Sequence, residues 1–133
     1  MRKMTAKQLT LIVQHDLYGV CRLSPSDPIP DWSLQGEFFS VSRTAEEISI
    51  VCTETQIPST VQCERGWRMF RIAGMLEFAL IGIVAGISAA LASAQLGIFV
   101  LSTYNTDYIL VKQADFSAAV SALQAAGYEV LGA

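Results

Sequence analysis

Charge is scarce in this sequence, and unevenly so. Only 16% of the 133 residues are Asp, Glu, Lys or Arg, against 52% apolar residues, and no charge lies between Phe78 and Thr106. The net charge of −3 leaves no cationic excess for nucleic acid, whose phosphates demand clustered Lys and Arg. The basic residues fall instead into short groups: Arg2, Lys3 and Lys7, then Arg65, Arg68 and Arg71. The one histidine, His15, and three cysteines without CxxC spacing (Cys21, Cys52, Cys63) supply too few ligands for a zinc site. An odd set of thiols fits reduced, buried cysteines better than a disulfide framework. Gly-rich phosphate loops are missing, and no nucleophile stands at a telling distance from a base. No cofactor, metal or catalytic apparatus is therefore expected. The N-terminus shows no apolar signal-peptide core, which points to the cytoplasm. A chain of this length with so little polar surface needs a partner subunit or a membrane to cover its apolar excess.

The first half reads as β-structure. Gln8 to Gln14 is a strand, a turn is expected near His15 to Gly19, and Val20 to Leu23 follows as a second short strand. Pro25, Pro28 and Pro30 make Ser24 to Trp32 a loop. Phe38 to Ser42 and Glu47 to Thr53 are strands, the latter with Ile48, Ile50 and Cys52 on one face. The second half changes period. Gly66 to Ala73 is a strand, and from Glu77 to about Gln95 the pattern is helical. Its bulky stripe is Leu80, Val84, Ile87 and Leu91, and its small stripe is Gly82, Gly86, Ala89, Ala90 and Ser93. Gly97 is the expected stop. Ile98 to Thr103 and Tyr108 to Val111 make a hairpin about Asn105-Thr106, then Phe116, Ala119, Val120, Leu123 and Ala126 mark a helix ended by Gly127. Tyr128 to Leu131 closes the order β, α, β, β, α, β.

The uncharged run is long enough to cross a bilayer, with Arg65, Arg68 and Arg71 as a flanking basic group. Against a span, the helical period breaks at Gly97, the helix is rich in Ala, Gly and Ser, and Ile98 to Val111 is apolar on both strand faces. That two-sided apolarity suits a sheet covered on both faces. A buried helix is expected. The run ends in Ser102-Thr103-Tyr104-Asn105-Thr106-Asp107, one carboxylate among hydroxyl and amide side chains, which reads as a small polar site or as an Asp that stabilises its own turn.

The element order resembles the ACT domain, a ferredoxin-like amino-acid-binding module. Phe38 to Thr44, Glu47 to Cys52, Gly82-Ile83, Ser102 to Lys112 and Ala126-Gly127-Tyr128 are similar to the small bacterial ACT proteins related to the animal CASTOR arginine sensors. The resemblance implies an α/β (α+β) fold of tandem βαββαβ ACT domains, antiparallel sheets with helices on one face. Residues 1–65 would be a degenerate first copy and 66–133 a complete second. It also implies a non-catalytic regulatory protein, a homodimer, that holds an amino acid between ACT domains. Carried onto this chain, the pocket takes Met75, Leu76, Glu77, Phe78 and Leu80 from the first turn, Gly97 and Ile98 at the next strand, and Ser102, Thr103, Tyr104, Asn105, Thr106 and Asp107 from the hairpin. The family's first turn usually reads Gly-Pro-Leu-Asp-Phe, where this chain has Met75 and Glu77. Backbone N–H groups at the helix start would receive the ligand carboxylate, and Asp107 its ammonium or a cationic side chain. Two alternatives remain: an interaction adaptor without ligand, and a single-span membrane protein.

Overall fold

The computed structural model describes residues 9–74 and 81–133, and these fall into two compact units. One comprises residues 16–67; the other combines the chain up to His15 with residues 68–133. Strands β1 (Thr10–Leu23) and β4 (Cys63–Ile72) run through both, lending opposite halves to each. This differs from the division at residue 65, because the N-terminal strand half belongs with the C-terminal residues.

In the 16–67 unit the strand order is β2 (Phe39–Arg43), β3 (Ile48–Thr53), β1, β4. Strand β3 is antiparallel to both neighbours, with Cys21 opposite Ile50 and Val41 opposite Ile50 on the other side. Ile48, Ile50 and Cys52 are fully buried with Cys21 and Ile57, as the alternation in β3 anticipates. Val51 on the opposite face is buried too, so this strand is covered on both sides. Among the described residues the unit contains no α-helix, only 3-10 turns at Asp31–Leu34 and Glu54–Gln56. The proline-rich loop precedes the first of these.

The turn expected at His15 to Gly19 does not form. Strand β1 continues unbroken through it, because Tyr18 and Gly19 pair with Thr53 and Cys52 of β3. His15 and Asp16 simply lie exposed on a strand, where hydrophilicity imitates a turn signal. The Arg65 side chain is tied to the neighbouring loop. Its guanidinium donates to the carbonyls of Glu54, Ile57 and Pro58 at 3.0–3.1 Å.

The other unit carries the order β4, α1 (Ile83–Ser93), β5 (Phe99–Ser102), β6 (Asp107–Lys112), α2 (Phe116–Ala125), β7 (Glu129–Leu131). This is the expected βαββαβ sequence. Strand β7 pairs in parallel with β1 (Thr10 opposite Glu129, Ile12 opposite Leu131), while β1 neighbours β4, β4 neighbours β6 and β6 neighbours β5. Strand β1 and the residue before it bring Leu9, Leu11 and Val13 into the same core as Phe70, Ile72, Ile109, Val111 and the helix residues Ile83, Ile87, Leu91, Ala119 and Leu123. Phe70 stacks on Phe116 at 5.6 Å between centroids, and the Arg68 guanidinium covers the Phe116 ring at 3.9 Å. Ile109, Leu110 and Val111 are all fully buried, so both faces of β6 are covered.

Helix α1 starts later than its periodicity suggests. Ile81 and Gly82 are not helical, and Gly82 is the N-cap with φ 80°. That left-handed backbone marks the N-terminal limit of α1 and suits only glycine at low cost. The buried stripe is Ile83, Ile87 and Leu91, with Val84 half-buried beside it. Of the small stripe, Ala90 packs half-buried against the core and Gly86 has a steric reason: a Cβ there would sit 2.8 Å from Tyr128 Oη. Ala89 and Ser93 are exposed.

The end of α1 was also misplaced. The chain reverses at Gln95 (φ 62°), not at Gly97, through bonds from Gln95 N–H to Ala92 O and from Leu96 N–H to Leu91 O. This is the Schellman arrangement, with Leu96 folded back onto the core. Helix α2 ends in the same way, with Gly127 (φ 98°) in the left-handed position and Tyr128 N–H on Leu123 O. A left-handed residue with a side chain costs about 1 kcal/mol relative to glycine. Gln95→Gly is therefore expected to stabilise the protein by roughly 0.5–1 kcal/mol, read as a rise in denaturation midpoint at unchanged m-value. A loss of stability would mean that the Gln95 side chain makes a compensating contact.

Candidate functional site

The hairpin between β5 and β6 carries the polar cluster. Its two strands pair from Phe99 opposite Leu110 to Ser102 opposite Asp107, and the turn occupies residues 103–106. The turn is held by its own polar groups. Thr103 N–H donates to Thr106 O at 2.8 Å, Thr103 Oγ1 donates to the same carbonyl at 3.1 Å, and Thr106 N–H donates to Thr103 Oγ1 at 3.4 Å. Local threonine bonding thus replaces the Asn-Gly chemistry usual in tight hairpins.

Thr106 differs from its neighbours. It is only 6% exposed, and its hydroxyl donates to the backbone carbonyl of Ile72 at 2.7 Å. Ile72 is the last residue of β4, so this bond pins the hairpin tip to the point where the chain leaves β4 for the connection to α1.

Asp107 is half-buried and accepts the Ser102 hydroxyl on Oδ1 at 2.5 Å. Its other oxygen, Oδ2, has no hydrogen bond among the described residues. The carboxylate so serves its own hairpin with one oxygen, which is the turn-stabilising reading.

The remaining expected residues separate into groups. Ser102, Thr103, Tyr104 and Asn105 are exposed, Tyr104 to 76%. Gly97 is exposed in the linker after α1, and Ile98 packs half-buried against the core. Met75, Leu76, Glu77, Phe78 and Leu80 lie outside the described residues. The helix start expected at Glu77 lies outside the described residues; α1 begins at Ile83, where Gly82 offers no side chain to cap the first-turn amides and no acidic residue stands in that turn. Those N–H groups form the positive end of the helix dipole. Sequence reasoning missed Ile72 as the hairpin's anchor, since its contribution is a backbone carbonyl that no side-chain pattern reports.

No described helix is long and apolar enough to cross a membrane. Helix α1, with 11 residues, spans roughly 16 Å, about half a hydrocarbon core.

Comparison with known proteins gives this geometry relatives. Residues 62–125 match the family model of the ACT domain, and residues 16–60 match a second model described as an N-terminal domain. The chain is 37% identical over 95 residues to the human cytosolic arginine sensor for mTORC1 subunit 1, covering 65% of this chain and 29% of that protein. It therefore spans less than a third of the curated relatives it matches. A crystallised protein of Agobacterium tumefaciens is 37% identical, with a TM-score of 0.88 over 92% of both chains. The regulatory subunit of aspartate kinase from Thermus thermophilus shares the fold alone, at 11% identity and a TM-score of 0.62 over 87% of this chain and 96% of that one. With its βαββαβ strand and helix order and this match to the family model, the segment 62–125 is an ACT domain, a regulatory rather than catalytic module.

Proposed function

We propose that this protein binds a free amino acid without transforming it, and that occupancy is its regulatory signal. The observation that carries the reading is Asp107. Its Oδ1 is fixed by Ser102, its Oδ2 has no hydrogen bond among the described residues, and the hairpin bearing it is pinned to the end of β4. A half-buried carboxylate held in this way suits an ammonium or a cationic side chain through a charge-assisted bond. The uncapped first turn of α1 suits the ligand's carboxylate. Ser102, Thr103 and Thr106 complete the polar set, with Met75, Leu76, Glu77, Phe78 and Leu80 as further candidates from the sequence alone. The similarity to an arginine sensor supports an amino acid as ligand and favours a basic one. The protein works as a homodimer in the cytoplasm, and light scattering against the monomer mass of 14.4 kDa checks the first of these points.

A thermal-shift screen of the twenty amino acids tests the reading. Ligand at a hundred times Kd stabilises the native state by about 2.7 kcal/mol, a shift of several degrees. Asp107→Asn keeps an oxygen for Ser102 to bond but removes the charge. It is expected to melt within about 1 kcal/mol of the wild type while weakening the ligand roughly 10- to 100-fold. An Asn variant that responds like the wild type would reduce Asp107 to a turn residue. A screen silent for every amino acid, on a dimeric protein, would favour the adaptor reading.

A further inference from the structure

We propose that Cys21 and Cys63 are an oxidation site, a thiol pair that closes to a disulfide and ties β1 to β4 within the 16–67 unit. Their sulfurs lie 3.4 Å apart, with the Cys21 thiol directed at Cys63 Sγ. The two residues face each other across neighbouring strands. Arg22 N–H donates to Gln62 O at 3.0 Å, and one step inward from that bond Cys21 stands opposite Cys63. Directly opposed residues between the hydrogen bonds of an antiparallel pair have Cα atoms about 4.5 Å apart, within the roughly 4.4–6.8 Å that a disulfide spans.

Gly19 makes the room for this arrangement. A Cβ at Gly19 would approach Cys63 Sγ to 2.7 Å and Ile57 Cδ1 to 2.4 Å. Any side chain at that position would drive the Cys63 sulfur from its place beside Cys21. The third thiol, Cys52, is fully buried on β3 opposite Gly19, and no bond to either of the other sulfurs involves it. The two paired thiols differ in access: Cys21 is 2% exposed, and Cys63 is half-buried.

That difference sets the order of events with a low-molecular-weight disulfide as oxidant. The Cys63 thiolate attacks one sulfur of the oxidant, forming a mixed disulfide and expelling one thiolate. Cys21 then gives its proton to solvent and attacks Cys63 Sγ, and the second small thiol leaves. The protein loses two electrons and two protons, and the oxidant is recovered as two thiols. Desolvation, and next the neighbouring Cys63, push the Cys21 thiol well above the ordinary cysteine range, so the second displacement sets the pace. The bond closes residues 22–62 into a covalent loop that holds both β2 and β3.

The test equilibrates the whole chain with glutathione buffers of stepped oxidised-to-reduced ratio, followed by acid quench, alkylation, peptide mapping and thermal melts. The expected product is a monomeric chain lighter by two hydrogens, bridged Cys21 to Cys63, melting about 5–15 °C above the reduced form and reverting with dithiothreitol. Cys52→Ser keeps the bridge and the shift; Cys63→Ser abolishes both, and its half-buried position lets that variant fold. A stable glutathione adduct at Cys63, a bridge involving Cys52, or an oxidised form melting no higher than the reduced one would each overturn the proposal.

Discussion

Phe70→Ala is expected to remove roughly 3–5 kcal/mol of stability, the usual cost of deleting a fully buried aromatic ring. Phe70 is 0% exposed, stacks on Phe116, and shares a core with residues from β1, β6 and both helices. Few side chains join so many elements. The loss has three parts: the burial of the ring, the stacked contact with Phe116, and the dispersion contacts of everything left lining the void. At a few degrees per kcal/mol for a chain of this size, the melting temperature should fall by about 10–20 °C. Phe70→Leu fills most of the space and should cost less than half as much. Chemical denaturation decides the matter. A Phe70→Ala penalty below 1 kcal/mol would mean that the ring is not a shared keystone of this core.

The second large effect concerns Thr106, whose hydroxyl is buried and bonded to the Ile72 carbonyl. Thr106→Val keeps the shape and removes the donor, leaving a buried acceptor unmatched, at a cost of about 1–3 kcal/mol. Thr106→Ser keeps the donor and drops one methyl group, so it should be the milder change. The same bond anchors the turn from which Asp107 emerges. Thr106→Val is thus expected to weaken the amino-acid response as well as stability, whereas Asp107→Asn acts on the response alone. Equal unfolding free energies for the Val and Ser variants would show that the hydroxyl bond contributes nothing.

These two residues mark where sequence was informative and where it was not. The stripe Phe116, Ala119 and Leu123 and the stop at Gly127 were legible because helix periodicity and left-handed glycine are local signals. The hairpin was legible because its two strands adjoin in the chain. Three features were not. Strand β1 passes through His15 and Asp16 because its neighbour β3 continues to pair, and that neighbour is some thirty residues away. Helix α1 begins at Ile83 because Gly82 adopts φ 80°, whereas its composition reads as helix-forming for several residues before. It ends at Gln95 because Leu96 gains burial, which outweighs the strain of a left-handed glutamine. The polar cluster was visible as residue types; that Thr106 would face inward to Ile72, and Asp107 towards Ser102, was not.

The pairing of Thr10 with Glu129, with its side-chain bond across 119 positions of sequence, bears on biosynthesis. On the ribosome, β1 emerges well before β7, so this strand waits for a lasting neighbour on that edge until β7 has been made. Meanwhile residues 16–67, complete within themselves, can settle as soon as they clear the exit tunnel. Until β7 arrives, the nascent chain displays Leu9, Leu11 and Val13 uncovered, which is the interval in which a chaperone or a misplaced strand from another polypeptide would find it.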